Sequence, residues 1–144
     1  MRVGEDHPLY KQCRGLLDSD SGNIAVGIIN LDTRTILTAC HEVAYFSEAY
    51  VETVMAATVE MFRGQIIERI DDLISVQQGR NFERHIQEIY FRTPRTHHFL
   101  NTIPETSCAL ILVTGIHAHR DIAWKAALAC LPQLAPHCPQ PVHS

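Results

Sequence analysis

SEAYVETVMAATVEMFRGQIIERIDDLISVQQ, residues 47–78, is the stretch on which the fold turns. Ser47 suits an N-cap, because its hydroxyl can accept a bond from an otherwise orphaned backbone N–H. Phe46, just before it, is placed to staple against Val51. Val51, Met55, Thr58, Phe62, Ile66, Ile70, Leu73 and Gln77 trace one face at steps of three and four. Val54, Val59, Met61, Ile67 and Ile74 broaden that face, while Glu52, Glu60, Arg63, Glu68, Arg69 and Asp71 hold the polar side. Gly79 suits the position just past a helix end. Read as one piece, Ser47 to Gln78 is a helix of about 32 residues and about 48 Å, longer than a small domain is wide. Gly64 costs about 1 kcal/mol in a helix interior, so any kink or break is expected there.

Two strands precede this helix and three follow it. Residues 24–29 and 35–41 read as a hairpin joined by the turn-like Asn30–Arg34. Gly27 inside the first strand marks a bulge or a close approach by another element. Residues 86–92, 97–103 and 108–114 read as the later strands, with Pro94 and then Pro104–Ser107 as the turns between them. Cys108–Val113 is apolar on both faces, which places it centrally in the sheet, under a helix. Residues 6–17 form a short first helix with Pro8 in its opening turn. Asp121 is expected to cap a last helix whose Ile122, Ala126, Ala129 and Cys130 share a face, and Pro132 and Pro136 are expected to stop it. The order β-β-α-β-β-β-α gives an α+β class: one antiparallel sheet of about five strands with helices packed on it. Residues 1–136 make a single domain, and 137–144 a Pro-rich flexible tail.

Composition narrows the functional classes. A net charge of −4 with scattered basic residues is a poor footprint for nucleic acid. Arg92 and Arg95 beside His97 and His98 form the densest positive group and read as a solvated strand end. The N-terminal stretch has no apolar core of signal-peptide length, and the longest apolar run, Cys108–Val113, is far too short to span a bilayer. Five irregularly spaced cysteines argue against a disulfide framework and fit a reducing compartment. The expectation is a cytoplasmic protein with no membrane insertion.

The order and texture of 24–131 resemble the roadblock/LC7 family. The matching pieces are Ile24–Ile29 with Thr35–Cys40, the Ser47-led helix, His97–Ile103 paired with Cys108–Val113, and the Asp121-led helix. The resemblance lies in pattern and order, without a diagnostic motif. It implies a profilin-like sandwich that is not an enzyme. It also implies a homo- or heterodimer made by pairing long helices and joining sheet edges. Its implied partners are small Ras-like GTPases, motor components or signalling scaffolds. The central helix is longer than the family's usual one, and Gln78–His85 and the tail have no obvious counterpart. No catalytic residue carries over.

The candidate chemistry is sparse. His117 and His119 could present two imidazoles from one loop. In a tight 103–108 hairpin, residue 98 pairs near residue 113, so His97 and His98 could approach them and offer a zinc site. The chain lacks CxxC, HExxH and any Gly-rich phosphate loop. Cys108 reads as a packed thiol whose pKa burial would raise. Asp18, Asp20 and Asn23 beside Gly22 resemble a calcium loop, but its twelfth position is Ile29, where a bidentate Glu is required. Asp71 and Asp72 read as a solvated pair. Trp124 is either core or, if exposed, an interaction hot spot.

The reading these residues support is a non-catalytic, dimeric regulatory or scaffold protein without a cofactor. It binds a protein partner, with a small Ras-like GTPase as one candidate. Val51, Met55, Thr58, Val59, Phe62 and Ile66 are the expected dimer interface. The alternatives are a small-molecule sensor with a pocket between sheet and helix, and a metal protein built on His97, His98, His117 and His119.

Overall fold

A computed structural model describes residues 2–42, 47–78 and 86–141. Five antiparallel strands form one sheet: β1 Asn23–Asn30, β2 Thr35–His41, β3 Glu88–Arg92, β4 Thr96–Thr102 and β5 Cys108–Gly115, in the spatial order β2-β1-β5-β4-β3. The central place of β5 follows from its alternation. Cys108, Leu110 and Leu112 enter one buried layer, and Ala109, Ile111 and Val113 enter the other. Local chemistry sets the hairpin turns. The Asn30 side-chain oxygen accepts from the N–H groups of Asp32 at 2.9 Å and Thr33 at 3.2 Å, an Asx turn that reverses the chain between β1 and β2.

Helices α1 (Pro8–Asp18) and α4 (Arg120–Leu134) cover one face. Leu9, Cys13, Leu16 and Leu17 pack there with Ala123, Ala127, Leu131 and Leu134 against Val26, Ile28, Phe99, Leu110 and Leu112. Pro8 does open α1, and His7 is its cap, its Nδ1 accepting from the Leu9 N–H at 3.1 Å. Two expectations about α4 are corrected. His119 is the capping residue, without a side-chain bond, and Asp121 lies in the first turn. Pro132 sits inside the helix instead of stopping it. The bond it removes would go to the carbonyl of Leu128, a residue on the exposed side of the helix. With Leu131 and Leu134 kept in the helix, the inward stripe becomes 123-127-131-134, and Ile122 faces solvent.

The other face is covered by α2, Glu48–Arg63. Ser47 caps it, accepting from the Tyr50 N–H at 3.2 Å. The 47–78 helix is not continuous. At Gly64 the backbone turns to φ −65°, ψ 158°, and α3, Gln65–Gln78, begins afresh. A Cβ at Gly64 would lie 2.5 Å from the Glu60 carbonyl oxygen, so this break is shaped around glycine. The expected Phe46 staple and Gly79 cap lie outside the described residues. The chain stays packed past 136. Ala135–His137 forms one 3-10 turn, Cys138 is buried, and the Pro139 carbonyl accepts from the Ser107 N–H at 3.0 Å.

Candidate functional site

The apolar stripe of 47–78 divides at Gly64 into two fates. In α2, Val51, Met55, Val59 and Phe62 pack on Ile29, Leu31, Leu100, Ala109, Ile111 and Val113. Thr58 is buried beside them, its hydroxyl donating to the Val54 carbonyl at 3.0 Å. Five of the six expected interface residues (Val51, Met55, Thr58, Val59 and Phe62) are therefore taken up by the chain's own core. The cause is geometric: α2 is the cover for one whole face of the sheet, and its richest stripe goes to that face. Ile66 alone of the six is free of the core.

Beyond the break the polarity reverses. Ile66, Ile70, Leu73 and Val76 are 68, 42, 60 and 67% exposed, whereas Asp71 and Ser75 on the same helix are 1 and 0% exposed. A surface helix normally buries its apolar row, so α3 presents outward the row that ordinarily faces a core. The Asp71 carboxylate accepts from the Ile86 N–H at 3.3 Å. The reading of Asp71–Asp72 as a solvated pair is thus corrected for Asp71, while Asp72 is exposed. Val76 was missed from sequence. The signal for it was Gly64, because a break there resets the phase of every later position.

A groove of about 570 Å³ opens between α2 and the β3–β4 hairpin, with Tyr50, Val54, Ala57, Met61, Phe91 and Leu100 along it and Arg95 at its rim. Between α2 and the sheet beneath Met55 the open space is about 30 Å³. That is room for a water molecule and far below the roughly 300–1,000 Å³ of ligand pockets. Among the described residues the space beneath Met55 is therefore too small for the expected sensor pocket, and the groove beside the β3–β4 hairpin, though of ligand size, is open.

The histidines do not converge. His97 lies on the α1–α4 side, its Nδ1 2.7 Å from the Tyr90 hydroxyl and its Nε2 3.0 Å from the Ile116 carbonyl. His98 lies on the α2 side, stacked on Phe91 with centroids 4.4 Å apart and Nε2 2.8 Å from the Thr96 hydroxyl. Consecutive strand residues point to opposite faces, and so the pair cannot share an ion with His117 and His119 in the loop after β5. Among the described residues no three His, Cys, Asp or Glu side chains are grouped to hold a metal. Burial, and then the charge of His97, lower the His98 pKa. His98 does pair with Val113 in register, as the hairpin length required.

Trp124 is half-buried and packs on the core, stacked on Tyr90 at 5.9 Å and tilted against Phe99 at 5.8 Å. The Arg120 guanidinium lies 5.4 Å from the centre of the Tyr90 ring. Arg92 and Arg95 are exposed, as a solvated strand end requires, but His97 and His98 are each only 6% exposed, so the solvated group expected at 92–98 holds for the arginines alone. Among the described residues no helix is long and apolar enough to cross a membrane.

No family model matches the sequence, and no curated protein matches it. Solved structures do match its fold. MglB of Myxococcus xanthus superposes with a TM-score of 0.70 at 9% identity, covering 93% of this chain and 97% of that one. A roadblock/LC7 domain from Streptomyces avermitilis gives 0.64 at 9% identity, over 88% of this chain and 94% of its own. The gliding protein MglB of Thermus thermophilus gives 0.62 at 14% identity, over 90 and 93%. The strand order, the α2 cover and the α1–α4 layer are therefore those of the roadblock/LC7 fold.

Proposed function

We propose that this chain is a non-catalytic regulatory or scaffold module that works as a homodimer and docks a protein partner. The observation that carries the reading is the outward row Ile66, Ile70, Leu73 and Val76 on α3. Large apolar side chains in one contiguous row are costly in water and mark an interaction surface. Ile66 remains in the proposed interface, and the row Ile70, Leu73 and Val76 takes the place of the buried α2 residues. Two considerations support assembly. The fold is shared with roadblock/LC7 structures, and MglB has been solved in a tetrameric arrangement. For the partner, the roadblock/LC7 resemblance favours a small Ras-like GTPase.

Light scattering on the wild type and on an Ile66→Glu, Leu73→Glu variant tests the assembly. The expected result is twice the 16.2 kDa chain mass for the wild type and a folded monomer for the variant. A wild-type monomer, or a variant that stays dimeric, overturns the α3 homodimer. Calorimetric titration with purified small Ras-like GTPases in both nucleotide states tests the partner class, and absence of heat with all of them removes it.

A further inference from the structure

All five cysteines belong to the α1–α4 side of the sheet. Cys13, Cys40, Cys108 and Cys138 are buried in one cluster, with Cys130 half-buried against it. Two of them are brought together by a specific clamp. After the 3-10 turn, the Pro139 carbonyl accepts from both the Ser107 N–H, at 3.0 Å, and the Ser107 hydroxyl, at 3.3 Å. This holds the C-terminal segment beside the first residue of β5. The inner neighbours of the clamped residues are Cys108 and Cys138, 0 and 7% exposed, and the two thiols face each other in the same buried cluster.

We propose that Cys108 and Cys138 are a reversible disulfide latch that fastens the C-terminal segment to the central strand, closed by exchange with a small-molecule disulfide such as oxidised glutathione. The clamp that aligns the two thiols is slight: two hydrogen bonds to one carbonyl, a single turn and one buried side chain. Opening it exposes Cys138. The Cys138 thiolate attacks one sulfur of glutathione disulfide, that S–S bond breaks, and one glutathione leaves as thiolate. The segment recloses with Cys138 in mixed disulfide. The Cys108 thiolate then attacks the Cys138 sulfur and the second glutathione leaves. In balance, two protein thiols are oxidised to one disulfide, one glutathione disulfide is reduced to two thiols, and the two protein protons end on those thiols.

Burial ordinarily raises a thiol pKa, yet Cys108 is lowered, chiefly by the Cys138 thiol that faces it. Cys138 is raised, chiefly by the same pairing with Cys108 and then by its burial. Cys13 and Cys40 are raised, chiefly by burial, Cys40 to about 11, and are poor competitors.

The full chain is incubated without denaturant in glutathione buffers of graded oxidised-to-reduced ratio, alkylated and mapped by mass spectrometry. The expected product is about 2 Da lighter, with a peptide link between 108 and 138. Its Tm lies higher by roughly 10 °C, because the closed loop of about 30 residues restricts the unfolded chain. Dithiothreitol reverses both changes. Cys130→Ala behaves as wild type, and Cys138→Ala and Cys108→Ala lose the shift. Should either of these fail to fold, the peptide map of the wild type decides alone. A Cys13–Cys40 link, a glutathione adduct that never resolves, or a link that forms only in denaturant overturns the latch.

Discussion

The terminal methyl of Met55 occupies the space that a side chain at Gly27 would need. Gly27 lies within β1 and Met55 in the middle of α2, so glycine lets the helix approach the sheet closely at this point. The β1–β2 register irregularity falls beside it, at Ile28/Ile29. Gly27→Ala is expected to cost about 1 kcal/mol, because the Met55 methyl can swing aside, whereas Gly27→Val costs about 2–3 kcal/mol. Urea denaturation measures both. Met55→Ala placed in the Gly27→Val background should return part of the loss, as contacting residues couple. Strict additivity would show that the two do not touch.

His98 makes stability depend on pH with a definite sign. Burial, and then His97, hold its pKa below the usual 6.5, so below that pH the unfolded chain takes up a proton that the native chain resists. Stability contributed by neutral His98 is present above 6.5 and falls as pH drops through that value toward the lowered native pKa. The difference between wild type and His98→Gln isolates this contribution from the other histidines. Urea midpoints between pH 5 and 7.5 should fall more steeply for the wild type. Parallel curves would show that His98 titrates normally in the native state.

Phe62 and Ile66 are one helical turn apart in sequence and belong to different environments. Phe62 is 1% exposed in the core and Ile66 is 68% exposed. Phe62→Ala is expected to cost about 3–5 kcal/mol through the cavity it leaves, and Met55→Glu with Phe62→Glu should abolish folding instead of yielding a monomer. Ile66→Glu should leave circular dichroism nearly unchanged and lower the urea midpoint only as far as loss of the dimer does. A folded double variant at the first pair would return those residues to an interface.

The contrast between 62 and 66 also marks how far the sequence could be read. Strands at 24–29, 35–41, 97–103 and 108–114 lie within a residue or two of the observed ones, because period-two alternation and the turn chemistry of Asn30 and Pro104 are local. The central place of β5 followed from its two apolar faces. Helical periodicity likewise grouped Val51 through Leu73 on one face, but it says nothing of what covers that face. The sheet covers one half, and Gly64 turns the other half away. His97 and His98 were separable in principle, since alternation alone puts them on opposite sides of β4. The meeting of Cys108 with Cys138 was not, because it depends on where α4 ends, and α4 runs through a proline that reads as a stop.

Asn101 is a buried amide in the interior of β4, 1% exposed, and neither its oxygen nor its nitrogen has a hydrogen-bond partner among the described residues. Its strand neighbours in register are Glu88 and Leu110. A buried polar group without a partner costs about 1–3 kcal/mol, whereas an apolar group of similar shape avoids that cost. Asn101→Leu is therefore expected to raise the urea midpoint, by about 1–2 kcal/mol of stability, and Asn101→Asp to lower it by burying a charge. A loss of stability in the leucine variant would show that the amide is hydrogen-bonded in solution and that the strand depends on it.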